Sequence, residues 1–262
     1  MGRHSRGRCS FADQYGHNLG VPKHFRRLGS TQEKARQIVR DLPASAYPPS
    51  RTLVVAWEQT EGQGRLARRW VSPAGGGLYC TLIHPLGGPE PPLSLPLSVG
   101  VALCRAARRM GVQDCQLKWP NDLVVGTRKL GGLLIGVVSG PREAMPTALI
   151  GFGINLRRDQ EGLLPDAATS VTGESGAPTT AAALLAHVAP QLRDLPTDPM
   201  PNAELLSEYR SLLRHRPGDE LEWRQGDQVV HGRFIGVDES GHIVIETGQG
   251  RRALCVGDII ES

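Results

Sequence analysis

The sequence predicts an α+β protein in which a large domain on a mixed β-sheet is followed by a small antiparallel β-barrel. Three observations carry this. Strand-length apolar runs alternate with helical stripes up to about residue 214, which calls for helices packed on a sheet. Several of those runs follow one another with no helix between them, which favours a mixed sheet over a doubly wound one. After Arg216-Pro217-Gly218 the texture changes to short apolar–polar alternations broken by QGD, DESGH and GQG turns, the pattern of a small antiparallel barrel. The length of 262 residues suits one large and one small domain.

The elements follow in order. Ser30 and Glu33 have capping-box spacing, and Ala35, Ile38 and Val39 form a stripe, predicting a helix from Thr31 to Asp41 that ends before Pro43. TLVVAWE (52–58) and LYCTLIH (78–84) read as buried strands, and LPLSVGVALCRAARRM (95–110) as a long amphipathic helix. LKW (117–119) and LVV (123–125) flank Pro120-Asn121-Asp122, and LGGLLIGVVS (130–139) and TALIGFGINL (147–156) are further strands. Residues 157–179, polar and rich in Gly and Pro, read as an ordered loop or lid, and two helices follow near 180–194 and 203–214. The expected domains are a basic, disordered tail (1–28), a catalytic domain (29–214) and the barrel (215–262).

The bulk properties exclude several classes. Hydrophobic residues make up 39% and charged residues 21%, ordinary for a globular chain. No apolar run approaches the roughly 20 residues of a membrane span, and the N-terminus lacks the apolar core of a secretory signal. The formal net charge is +4, yet residues 1–28 hold six basic residues against one acidic. The basic character therefore belongs to the tail. Five scattered cysteines (Cys9, Cys80, Cys104, Cys115, Cys255) form no CxxC, so the reading is reduced thiols in a cytoplasmic protein with no metal-ligand set.

There is no GxxxxGKS/T, no HExxH and no GxSxG, and GFGINL (151–156) lacks the third glycine of a dinucleotide fingerprint. Three segments remain. Gln59 to Trp70 is a glycine- and arginine-rich loop: its backbone amides can approach an anion, its arginines can bind phosphate or carboxylate, and Trp70 can stack on a flat ring. Arg65 and Arg68 follow the glycines directly and read as ligand contacts, whereas Arg69 reads as facing water. KWPNDLVVGTRKLGG (118–132) sets Asn121 and Asp122 at a strand junction and brings Lys129 to a strand end, where it reads equally as a pocket cation or a surface lysine. In GFGINL, the glycines and Asn155 read equally as room for a ligand or as close sheet packing.

Taken together, Ser30-Thr31-Gln32, EQTEGQGRLARRWVSPAGGGLY, KWPND, RKLGGLLIG and IGFGINL resemble, in order and approximate spacing, the motifs of biotin protein ligases, and RPGDELEW resembles the start of their SH3-like C-terminal domain. The resemblance covers about residues 28–262. It implies a class II synthetase-like catalytic fold and an ATP-dependent reaction. Biotin is activated as biotinyl-5′-AMP with release of pyrophosphate, then passed to a lysine of a biotin carboxyl carrier protein or domain. It also implies residue roles. Ser30, Thr31, Gln32 and Gln59 would hold the ureido ring, and Gly62, Gln63, Gly64 and Arg65 would form the loop over biotin and phosphate. Arg68, Trp70, Lys118, Asn121 and Asn155 would face ATP, Gly151 would lie beside biotin, and Lys129 would contact both carboxylate and α-phosphate. Arg65, Lys129 and Mg²⁺ on the phosphates would offset the charge, and Asp122 would orient or deprotonate the incoming lysine. Gln63 departs from the family's usual Arg or Lys.

The alternatives are a lipoate or octanoate ligase of the same fold, and a biotin-sensing repressor. Only 29 residues precede Ser30, fewer than the about 60 of a winged helix. No specific DNA binding and no membrane association are therefore expected, and the chain is expected to be a monomer or homodimer.

Overall fold

The computed structural model describes residues 19–139, 145–157, 165, 167–193, 195, 200–255 and 257–260. Seven strands form a mixed sheet: β1 (Lys23–Phe25), β2 (Thr52–Ala56), β3 (Gly77–Pro85), β4 (Cys115–Lys118), β5 (Asp122–Val125), β6 (Arg128–Val138) and β7 (Thr147–Asn155). Their order is β1-β2-β3-β7-β6-β5-β4, with β1 parallel to β2 and every other pair antiparallel. Strand β1 lies inside the segment expected to be a disordered tail. Its backbone pairs with Val54, Val55 and Ala56, so order begins before Ser30; residues 1–18 of that tail lie outside the described residues.

The two central strands, β3 and β7, are buried along their whole length because helices cover both faces. Strand periodicity divides the side chains of β2, β3 and β7. Val54, Ile83 and Leu149 point to one face and pack with Ala35 and Val39 of helix α1 (Thr31–Arg40). Leu53, Val55, Leu82 and Ile150 point to the other, beneath α2 (Ser94–Arg109). Helix α1 starts where Ser30 Oγ accepts from the Gln32 amide at 3.2 Å. The expected reciprocal arm is absent: Glu33 pairs with Arg36 at 2.6 Å. Pro96 falls in the first turn of α2, where its missing N–H costs no helical bond.

Within the segment expected to be a loop, α3 (Val171–Ser175) is capped by Ser170. Helices α4 (Ala181–Val188) and α5 (Ala203–Leu212) then pack on α2. The C-terminal unit is an antiparallel sheet of β8 (Glu220–Gln225), β9 (Gln228–Val237), β10 (Ile243–Thr247), β11 (Gly250–Leu254) and β12 (Asp258–Ile260), ordered β11-β10-β9-β8-β12. Among the described residues no pairing joins β11 to β12, so the expected closure into a barrel is not among its hydrogen bonds. Trp223, Phe234 and Ile245 of this sheet belong to the same hydrophobic core as Leu97, Leu103 and Leu117.

Candidate active site

A cavity of about 430 Å³ opens over β3, β7 and β6, within the usual size range of small-ligand pockets. Its floor exists because of two glycines in GFGINL. A Cβ on Gly151 would stand 2.6 Å from Gln32 Oε1, and one on Gly153 would stand 2.6 Å from the Trp70 indole nitrogen. Both residues must therefore lack a side chain for Gln32 and Trp70 to lie against the sheet.

One end of the cavity is a polar relay. Thr81 donates to Thr31 Oγ1 at 3.0 Å, and Thr31 donates to Gln59 Oε1 at 3.1 Å. That same oxygen accepts the Thr31 amide at 2.7 Å, while Gln59 Nε2 donates to Ser72 Oγ at 2.9 Å. The Gln59 amide is thereby fixed in one orientation. Gln32 Nε2 donates to the Leu149 carbonyl at 3.0 Å. Ser30 spends a lone pair on the helix cap, which leaves its O–H proton able to reach a ligand. Sequence reasoning missed Thr81, although a threonine at the centre of the apolar run LYCTLIH was a usable signal; the fold buries it completely.

The other end is cationic. Lys129 Nζ lies 2.7 Å from Asp122 Oδ1 and 5.4 Å from the Trp70 ring centroid. Arg65 Nη1 donates to Asn121 Oδ1 at 2.9 Å, and Asn121 Nδ2 donates to the Leu133 carbonyl at 2.9 Å, which ties the turn between β4 and β5 to β6. Asn155 Nδ2 donates to the Thr169 carbonyl at 3.0 Å, fastening the chain before α3 to the pocket wall. Asp258, Ile259 and Ile260 of β12 also line the cavity; the sequence reading had not included them.

Ser30, Thr31, Gln32, Gln59, Gln63, Gly64, Arg65, Arg68, Trp70, Lys118, Asn121, Asp122, Lys129, Gly151 and Asn155 all line this one cavity. Of the residues singled out from the sequence, Gly62 does not. Its carbonyl accepts the Trp70 amide at 2.8 Å and closes the base of the loop. Arg69, expected to face water, is exposed at the cavity rim.

Comparison with known proteins bears on what this arrangement is for. Residues 26–155 match the model of the biotin/lipoate A/B protein ligase family, and residues 222–260 match the biotin protein ligase C-terminal domain. The chain belongs to the biotin/lipoate A/B protein ligase family. Within this ligase family it is 29% identical over 251 residues to a biotin–[acetyl-CoA-carboxylase] ligase of Paracoccus denitrificans, covering 89% of this chain and 97% of that protein. It is also 29% identical over 243 residues to the bifunctional ligase/repressor BirA of Bacillus spizizenii, covering 88% of this chain and 71% of that one. The ligase fold is reproduced in a biotin protein ligase from Aquifex aeolicus in complex with biotin and ATP, with a TM-score of 0.71, 24% identity, and 91% of this chain and 97% of that chain covered. Among ligases of this family, then, the glycines of GFGINL and the cations of the loop sit in one cavity here.

Proposed function

We propose that the protein is an ATP-dependent biotin protein ligase. The observation that carries this reading is the polarity of its cavity: a fixed amide-and-hydroxyl relay at one end, two cations and an indole at the other. A ureido ring offers both N–H donors and a carbonyl acceptor, matching Thr31, Gln32, Gln59 and Ser30. A dithiolane or alkyl chain offers no partner to the Ser30 O–H or to the hydrogen-bonding capacity that the relay leaves unused, and each buried group left unsatisfied costs about 1–3 kcal/mol, which disfavours lipoate or octanoate as substrate.

In the first step the biotin carboxylate attacks the α-phosphorus of ATP, a P–O bond forms, and pyrophosphate leaves. Two anions meet, so cations must offset the repulsion. Lys129 and Arg65 take that role, with Arg68 and Lys118 toward the remaining phosphates, Trp70 stacking against a ring, and Asn121 and Asn155 holding the walls. Gln63 and Gly64 bring loop backbone over the ligand, and Gly62 fixes the loop base. In the second step a carrier lysine attacks the acyl carbon, an amide forms and AMP leaves. Asp122 holds Lys129 for the first step and accepts the proton of the incoming amine in the second.

Among the described residues no three His, Cys, Asp or Glu converge on a metal site. Magnesium would be held mainly by phosphate oxygens and water, with Asp122 and Asp258 as carboxylates on the cavity lining, and would add positive charge on the phosphates. The C-terminal sheet is read as the family's small SH3-like unit, beginning near residue 215. The macromolecular partner is a biotin carboxyl carrier protein or domain of a biotin-dependent carboxylase.

The test is calorimetry of the purified chain with biotin and with lipoate, followed by biotin transfer to a carrier domain in the presence of ATP and magnesium. Biotin binding, ATP-dependent pyrophosphate release and lysine acylation are expected; binding of lipoate in preference to biotin would reject the assignment.

A further inference from the structure

The loop over the cavity is bent in an unfavourable way. Leu66 and Ala67 have φ of 52° and 56°, the left-handed region that residues with a Cβ avoid. Such a conformation persists only where its surroundings over-determine it. Leu66 is 70% exposed, so packing of its own side chain does not hold it there.

Backbone bonds close the bend locally, the Gly64 amide donating to the Arg68 carbonyl at 2.8 Å and the Arg68 amide to the Arg65 carbonyl at 3.0 Å, and a carboxylate from the other end of the chain brackets it. Asp258 Oδ1 lies 2.9 Å from Arg65 Nη1, and Asp258 Oδ2 lies 3.3 Å from Arg68 Nη2. The Gly257 carbonyl accepts from both terminal nitrogens of Arg65 at 3.3 Å. One carboxylate thus bridges the two arginines that flank the strained pair. Its side chain is 17% exposed and that of Arg65 22%, so the Arg65 contact is partly sheltered from solvent, whereas Arg68 is mostly exposed. Asp258 is held in turn by strand pairing with Arg224 of β8. Gly257 has φ of 129°, and a Cβ there would stand 2.3 Å from the Trp223 indole nitrogen, so glycine is required to bring this carbonyl into place.

We propose that Asp258 is a positioning residue that clamps the arginine loop to the C-terminal sheet, presetting Arg65 for phosphate and holding the loop shut over the acyl-adenylate. The clamp itself stands on geometry alone; its consequence for the adenylate rests on the ligase reading above. Arg65 remains the group that touches substrate, and Asp258 acts through it.

The full-length chain is compared with D258N and D258E. Limited trypsin digestion reads the loop directly, because Arg65, Arg68 and Arg69 are cleavage sites whose products mass spectrometry distinguishes. In the ligand-free protein, D258N is expected to be nicked at these sites about five- to tenfold faster than the parent, since nicking tracks the open population. Its melting temperature should stay near the parent's. Biotinyl-adenylate formed without carrier should leak from it correspondingly faster, and D258E should recover both properties. Nicking and leakage at the parent's rates in D258N would overturn the proposal. If the parent forms no adenylate, the ligase reading fails and the nicking rates alone decide the clamp. If D258N does not fold, the parent is digested at increasing salt, which screens the Arg68 contact first. Nicking at the loop should then accelerate relative to other sites, and a flat response would overturn the clamp.

Discussion

Arg65 and Lys129 are gripped by consecutive residues: Asn121 accepts from Arg65 at 2.9 Å, and Asp122 pairs with Lys129 at 2.7 Å. The two cations come from a loop and from a strand, yet one turn fixes the spacing between them. That turn is latched in its own right, since the Leu133 amide donates to the Asn121 carbonyl at 2.9 Å. A pair of positive charges is thus assembled before any anion arrives, so little reorganisation is left for the moment of reaction.

Lys129→Ala should lower the rate of biotin-dependent pyrophosphate release by about 10²- to 10³-fold, the usual cost of removing one oriented charge-stabilising contact. The side chain is 39% exposed, so the melting temperature should barely change. Pyrophosphate release near the parent's rate would remove Lys129 from the reaction.

Gly153→Ala tests the floor of the cavity. The added methyl would stand 2.6 Å from the Trp70 indole nitrogen, and the ring must move away from the sheet and from Lys129. The KM for ATP should rise by about tenfold or more, the scale of a lost ring contact of about 1–3 kcal/mol, with a changed tryptophan emission spectrum. An unchanged spectrum and unchanged KM would show that Trp70 does not need this seat.

Thr81→Val keeps the shape of the strand and removes the first donor of the relay. Biotin affinity measured by calorimetry should fall by about 5- to 30-fold, as expected for about 1–2 kcal/mol from a broken buried hydrogen-bond chain. ATP affinity should stay the same. Equal losses for both ligands would mean that the relay does not belong to biotin.

His84 predicts a pH dependence of stability. It is 5% exposed, and burial, aided by the Arg51 charge, lowers its pKa from 6.5 to about 3. Between these values the unfolded chain binds a proton that the folded chain excludes, so this contribution is fully present above pH 6.5 and is lost as pH falls toward 3. Its slope is at most about 1.4 kcal/mol per pH unit. Denaturant titrations of His84→Gln should show a flatter fall than the parent's in that window; identical slopes would exclude His84 as the source.

Much of this was legible in the sequence because the signals were local. Buried runs marked β3 and β7, Ser30 marked the start of α1, and glycines beside arginines marked the loop. The glycines of GFGINL were visible as a close approach, but only the fold shows that Gln32 and Trp70 are what approach. Strand β1 was missed because three residues with two bases, Lys23-His24-Phe25, carry no periodicity; its pairing with β2 makes it a strand. Asp258 was missed because its partners lie 193 and 190 positions away in the chain, and a lone aspartate opening a short apolar strand has no pattern of its own.

The hydrophobic core runs without a break from the seven-stranded sheet into the five-stranded one. Gly241 sits so close to Leu97 of α2 that a methyl there would stand 2.9 Å from a leucine carbon. Two regions that share an oily interior melt together, so differential scanning calorimetry should give a single peak. Cutting the chain near residue 216 should yield an insoluble N-terminal fragment and no autonomous module. A shared interior of this kind resists pivoting of one sheet against the other, so the nine-residue loop from Gly62 to Trp70 is expected to be a moving part of the cavity wall when substrate enters.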